Sequence, residues 1–240
     1  IGRGDSALRV LGRKPASLAE LAEVMHGIKE LAEGRSVRVG GTELQLPWVR
    51  GGRLEIWMAG YGPRALDLAG READGFILQL ADPYLVEWSV KTVRKAAEAA
   101  GRDPDSLRIC VAAPSYVGTD RAHQREQLRW FGGMVGNHVA ELVGRYGKQS
   151  GAVPEALTAY IEGRQDYDYR HHGRPGARHT DFVPDAIVDR FCLLGSAEEH
   201  VERLEQLRGL GVHQFAVYLM HDAKEATLDA YRDVVMPRIG

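Results

Sequence analysis

Gly60-Tyr61-Gly62-Pro63-Arg64 is the stretch of this sequence whose residue types best suit chemistry. Glycines at positions 60 and 62 allow unusual dihedrals and a close backbone approach to a ligand. Pro63 presets the first turn of a helix without wasting a donor. Free N–H groups at a helix start, with the positive end of its dipole, favour a phosphate. Arg64 adds a charged fork. The same residues also describe a plain strand-to-helix turn whose glycines serve packing. The stretch is not the dinucleotide fingerprint, because Ala65 stands where a third glycine would fall. Asp82 is the one candidate for an acidic ribose reader, and its spacing is unconvincing.

Other polar groups invite the same question. His171, His172, His179 and Asp181 suit zinc or iron by type. Their spacing matches no metal motif, and Arg170, Arg174 and Arg178 interleave with them. No metal is therefore expected. The segment reads either as a cationic rim for an acidic substrate or a polyanionic cofactor tail, with His171 and His172 as substrate contacts, or as a surface loop. Its length for a structureless connection raises the functional reading. His221-Asp222 directly follows an apolar strand, which offers His221 as a general acid or as a loop cap. Trp130, Phe131, Val135 and Val139 read as a buried helical face. No nucleophile elbow, phosphate-binding lysine loop or His-x-x-x-His occurs, which argues against a hydrolase, a nucleotidyl enzyme and a zinc peptidase.

The elements that would hold these residues alternate strand and helix. Ser17 to Glu33 places Leu18, Leu21, Met25, Ile28 and Leu31 on one helical face, with Ser17 and Glu20 as a capping box and Gly34 as the stop. Residues 35–53 read as a two-stranded excursion turning at Gly40-Gly41. Strands are expected at 54–59, 76–80, 107–117 and 214–219. Helices are expected at 64–72, 83–100, 121–147 with a break at Gly132-Gly133, and a short one after Pro154. Further helices are expected at 184–194, from Ser196 (with Glu199 as a second capping box) to Gly209, and at 226–236. Such alternation signals a parallel sheet covered by helices. Four clear strands leave two architectures open: an open sheet, or half of an eightfold barrel, which needs eight. The chain is expected to form a single domain over 1–240, with an insertion at 120–182.

The 240 residues are 44% hydrophobic and 27% charged, enough for a sizeable core and too balanced for a disordered chain. A formal net charge of −2 gives no field for nucleic acid or a membrane surface. No apolar run approaches the ~20 residues of a membrane span. Cys110 and Cys192 read as buried reduced thiols of a cytoplasmic protein. The opening Ile1-Gly2-Arg3-Gly4-Asp5-Ser6 lacks an initiator Met and a signal peptide, and reads as a continuation of something earlier.

Residues 59–77, with Gly62-Pro63, Leu68-Ala69-Gly70 and Ala73-Asp74-Gly75, resemble a segment of the luciferase-like monooxygenases. Within that superfamily they are most similar to the coenzyme F-420-dependent branch related to methylenetetrahydromethanopterin reductase. Gly2 to Ser6 with Leu8 also matches that branch, where it ends the fourth barrel strand. Thr180 to Asp185 and Asp189 to Gly195 resemble a subgroup of uncharacterised members. The resemblance covers essentially the whole chain. It implies a (β/α)8 TIM barrel, of which this chain would carry about the C-terminal half. It further implies an oxidoreductase passing a hydride between coenzyme F-420 and a small organic substrate. Tyr61, Gly62, Arg64 and Ala65 would bind the cofactor phosphate, Arg3 and Gly4 would contact the cofactor, and Gln79 would face the substrate. The alternatives are an FMN-dependent two-component monooxygenase and a non-catalytic barrel fragment serving binding or oligomerisation. A homodimer or higher homo-oligomer is expected.

Overall fold

The computed structural model describes residues 1–142 and 183–240. Their contacts group into two compact units, residues 1–77 with 91–108, and residues 78–90 with 109–240.

The first unit begins with α1 (Asp5–Val10), a helix that the sequence pattern did not mark, and α2 (Leu18–Ala32). Both halves of the Ser17–Glu20 capping box are made, and Leu21 and Met25 are buried. The excursion is an antiparallel hairpin of β1 (Val37–Val39) and β2 (Thr42–Leu44). Parallel pairing begins with β3 (Trp57–Ala59) and β4 (Gly75–Leu78), joined by α3 (Pro63–Glu72). Ile1 lies beside β3 in the same sense: its amine donates to the Trp57 carbonyl at 2.7 Å, and its carbonyl accepts from the Ala59 N–H at 2.8 Å.

Asp74 ties this unit together. Its carboxylate accepts the Ile56 N–H at 2.9 Å and lies 3.0 Å from both Lys29 Nζ of α2 and Arg53 Nη2. Burial pushes the carboxyl up, but the Ile56 hydrogen bond with Arg53 and Lys29 outweighs it, leaving Asp74 below its ordinary value. A depressed carboxyl stabilises the fold above the unfolded value of about 3.9, and that stability is lost as pH falls through the folded value. Asp74→Asn is therefore expected to lower the urea midpoint at neutral pH. The gap to wild type should shrink on acidification below about pH 4. A gap independent of pH would show that the charge of Asp74 contributes nothing.

Helix α4 (Pro83–Ala99) starts in the second unit and ends in the first. In the second unit β5 (Arg108–Val117) makes parallel pairings that change partner along its length. Cys110–Pro114 matches β7 (Gln214–Tyr218), and Ser115–Val117 matches β6 (Leu193–Gly195). Strand β6 corrects the expected helix over 184–194: the helix, α6 (Asp185–Phe191), stops at Cys192, and three apolar residues join the β5 ladder. Helix α5 (Arg121–Leu142) runs unbroken through Gly132-Gly133. A Cβ on Gly132 would stand 2.7 Å from Val183 Cγ1, so that glycine admits a close neighbour and does not interrupt the helix. Trp130, Phe131, Val135 and Val139 are buried, as expected. The second capping box opens α7 (Ala197–Gly209). The last helix starts two residues early, as α8 (Lys224–Ala230), and passes through a π turn (Tyr231–Val235) into α9 (Met236–Ile239). Cys110 and Cys192 are buried free thiols. Among the described residues no helix is long and apolar enough to cross a membrane.

Candidate functional site

The turn between β3 and α3 leaves its helix start without a side-chain cap. Gly62 takes φ +89°, which a side chain disfavours, and it caps α3 with no side chain bonded to the helix start. Helices α2 and α7 by contrast each have a serine bonded there. Pro63 carries no N–H, and the N–H groups of Arg64 and Ala65 lack helical acceptors by position. The Ala65 side chain is buried, and a Cβ on Gly60 would stand 3.2 Å from its methyl. Ala65 can thus serve an anion only through its backbone. Arg64 is exposed and makes no ion pair among the described residues. It lines a groove of about 800 Å³ with Asp67 and Arg71 of α3, Ala22 of α2 and Lys95 of α4. Arg71 is engaged by Asp67 at 2.9 Å, which leaves Arg64 available to a phosphate. Tyr61 is half-buried in the same turn.

Arg3 is tied to the loop around α1. Its Nε donates to the Ala16 carbonyl at 2.5 Å, and its own carbonyl accepts the Ala16 N–H at 3.1 Å. That pairing closes the loop around α1. Gly4, at φ +73°, accepts the Leu8 N–H at 2.8 Å and starts α1.

The second unit gathers polar groups at the carboxyl ends of its strands. Gln79, just after β4, donates through Nε2 to the Tyr218 hydroxyl at the end of β7, 3.0 Å away. The ring of Tyr218 meets Phe131 edge-on at 6.1 Å. Asp82 reads no ribose: it is fully buried, caps α4 by accepting the Leu85 N–H at 2.9 Å, and pairs with Arg190 Nε at 2.6 Å. His221 is buried and both ring nitrogens are in use. Nδ1 accepts the Ala223 N–H at 3.2 Å, so Nε2 carries the proton and donates to the Ser115 carbonyl at 2.9 Å. Burial holds its pKa below the usual imidazole value. This is the loop-capping arrangement, and no ring nitrogen is left for a general acid.

Asp222 instead faces His123, whose Nε2 lies 2.7 Å from the carboxylate. The Tyr116 ring stacks on His221 at 4.6 Å and meets His123 edge-on at 6.0 Å. The sequence had singled out the loop at 221–222 and missed its partners. The only available signal was that His123 falls in the first turn after a strand. His171, His172, His179 and Asp181 lie outside the described residues, as does the helix expected after Pro154. Among the described residues no group of three metal-ligating side chains assembles.

A family model described as luciferase-like monooxygenase matches residues 1–214. The chain belongs to the luciferase-like monooxygenase family. A 5,10-methylenetetrahydromethanopterin reductase of Methanolobus tindarius is 25% identical over 199 residues, covering 82% of this chain and 57% of that protein. A phthiodiolone/phenolphthiodiolone dimycocerosates ketoreductase of a Mycobacterium species is 31% identical over 172 residues, covering 68% of this chain and 43% of that protein. The chain thus spans about half the length of these luciferase-like relatives. Two solved structures cover all of it. The coenzyme F-420-dependent tetrahydromethanopterin reductase of Methanopyrus kandleri matches with TM-score 0.69 at 18% identity, over 73% of its own chain. An F-420-dependent secondary alcohol dehydrogenase matches with TM-score 0.71 at 17% identity, over 68% of its own chain. These likenesses show the fold to be the α/β barrel type of luciferase-like proteins.

The luciferase-like segment 59–77 owes much of its pattern to packing. A Cβ on Gly75 would stand 2.3 Å from the Trp57 ring, and one on Gly70 would stand 2.3 Å from the Val93 carbonyl oxygen. Ala73 is fully buried between them and Asp74 is the anchor already described. In the Gly60 to Ala65 portion, by contrast, Arg64 makes no ion pair among the described residues.

Proposed function

We propose that this protein is an oxidoreductase that moves a hydride between coenzyme F-420 and a small carbonyl or alcohol substrate. The observation that carries this reading is the α3 start, with no side-chain cap, an Arg64 that makes no ion pair among the described residues, and glycines at 60 and 62. Support comes from the relatives: a reductase and a ketoreductase by sequence, and two F-420-dependent enzymes by fold.

The fit to a phosphorylated cofactor is physical. Gly62 leaves the helix start open, the N–H groups of Arg64 and Ala65 point their partial charge outward, and the Arg64 guanidinium supplies a full one. When bound, the reduced deazaflavin supplies the hydride. The protein then has to hold it, orient the acceptor and keep water out. In the second unit, Gln79 donates to the Tyr218 oxygen at 3.0 Å, and that hydroxyl donates no hydrogen bond among the described residues, so it suits a polar substrate atom.

Fluorescence quenching with coenzyme F-420 and with FMN, titrated separately, tests the reading. F-420 is expected to bind, and Arg64→Ala to weaken it about 10- to 100-fold, the scale of a lost charge-assisted hydrogen bond. Thermal unfolding of the variant should match wild type, since Arg64 is exposed and makes no ion pair among the described residues. Tight FMN binding without F-420 binding would replace this reading with the FMN monooxygenase. Unchanged affinity in Arg64→Ala would remove that residue from the phosphate site.

A further inference from the structure

The groove beside Arg64 continues past the proposed phosphate turn along the outer face of α3. We propose that it holds the acidic tail of coenzyme F-420, the chain of linked glutamates that follows the cofactor phosphate. The proposal rests on the F-420 reading above, and every residue of the groove belongs to the first unit.

The shape follows from packing. Helix α3 has 10 residues and lies between α2 with 15 and α4 with 17. Gly70 lets α3 sink against Val93 and Ala96 of α4. The walls carry short side chains, Ala19 and Ala22 on α2 and Ala96 and Ala99 on α4, so the space above α3 stays open. The groove of about 800 Å³ starts at Pro63 and Arg64 in the first turn and reaches Arg71 and Glu72 in the last. A helix of that length spans ~15 Å, room for about two linked glutamates.

The charges suit a chain of carboxylates. Arg71 is engaged by Asp67 at 2.9 Å and by Glu72 at 3.4 Å, so the two acidic groups of the groove are already answered within it. Two cations are not. Arg64 stands at the entrance, and Lys95 lines the α4 wall. Both are exposed, and neither makes an ion pair among the described residues. A phosphate at the α3 start would engage Arg64, and the chain beyond it would meet Lys95. Between them the alanines and the buried Leu68 give an apolar floor, which matches the methylene stems of glutamate while the carboxylates reach the walls. An apolar partner seated here would leave both cations without a counter-ion. The sequence had offered Arg170, Arg174 and Arg178 for such a tail, and they lie outside the described residues. The α3 groove supplies cations next to the proposed phosphate turn itself.

Fluorescence quenching with two forms of F-420 tests this on the purified protein. One form carries several glutamates, and the other is trimmed back to the phosphate. Wild type is expected to bind the long form about 5-fold more tightly at low salt, the scale of one or two exposed ion pairs, and the preference should shrink as ionic strength rises. Lys95→Gln should bring the two forms to parity while leaving the affinity for the trimmed form unchanged. Lys95→Glu should make the trimmed form the better ligand. Arg38→Gln removes an exposed cation of β1 outside the groove and should keep the wild-type preference. Wild type that binds both forms equally, or Lys95→Gln with an undiminished preference, would overturn the tail site and leave the F-420 reading intact. A Lys95→Glu variant whose sedimentation changes while its tail preference does not would also overturn it, and would give the groove to a second copy of the chain. Wild type that binds neither form would overturn the F-420 reading itself.

Discussion

Arg190→Leu is expected to cost about 3–5 kcal/mol of folding stability, the usual penalty for stranding a buried charge. Asp82 is fully buried, and Arg190 Nε sits 2.6 Å from its Oδ2. The other carboxylate oxygen accepts the Leu85 N–H at 2.9 Å, and the Asp82 carbonyl accepts the Val86 N–H at 2.9 Å. Asp82 therefore starts α4 and fixes α6 against that start through one side chain. Leucine removes the cation and leaves the carboxylate sealed from water. Arg203 feels the Asp82 charge too, but it replaces Arg190 only at a distance: among the described residues its one hydrogen bond, at 3.4 Å, goes to the Asp189 carbonyl, and burial lowers its pKa. Domains of this size are typically stable by only about 5–15 kcal/mol, so the variant should lose a large share of its fold. The urea midpoint measures this, and Asp82→Asn provides the second arm. Asparagine keeps an oxygen for Leu85 and removes the charge. Asp82→Asn/Arg190→Leu should therefore be more stable than Arg190→Leu alone, through a coupling of about 1–3 kcal/mol. A loss below about 1 kcal/mol in Arg190→Leu would mean the pair behaves like an exposed one.

Asp82 also shows why the fold was more legible in the sequence than the site. Local signals were reliable where local physics decides. The two capping boxes at Ser17 and Ser196 mark α2 and α7 to within a residue, and the turn at Gly40-Gly41 marks the hairpin. Strand β6 left no readable signal because three apolar residues between α6 and Ser196 become a strand only by meeting Ser115–Val117. Burial of Asp82 depends on Arg190 in the same way, so its residue type suggested a ligand contact and its surroundings made it a structural anchor. The loop at 221–222 shows the limit most sharply. Sequence placed it at the end of a strand, where chemistry gathers. Only the chain's course decides that His221 turns inward onto two backbone groups while Asp222 turns toward His123.

Gly70→Ala is the substitution for which sequence and structure give opposite signs. Glycine inside a helix costs about 1 kcal/mol relative to alanine, so propensity alone predicts a gain. In place, the new Cβ would stand 2.3 Å from the Val93 carbonyl oxygen, 2.6 Å from Ala96 Cβ and 3.0 Å from the Ala97 N. Two of those three atoms are backbone, so no rotamer change relieves the contact and α3 must move away from α4. Arg102 bridges the same junction, donating to the carbonyls of Gly70 and Ala73 at 2.7 Å each, and that movement strains both bonds. Overpacking of this kind costs about 1–3 kcal/mol and occasionally more. With backbone on both sides of the contact the upper end applies, and a net loss of about 2 kcal/mol is expected after the propensity gain. Gly27→Ala in α2 is the matched control, since nothing lies within 4 Å of its Cβ position. There the propensity term stands alone, and stability should rise by about 0.5–1 kcal/mol. Urea unfolding of the two variants should therefore move in opposite directions. If both rise, α3 and α4 do not approach as closely at Gly70 as the structure places them, and the Leu-Ala-Gly part of the family segment needs another explanation.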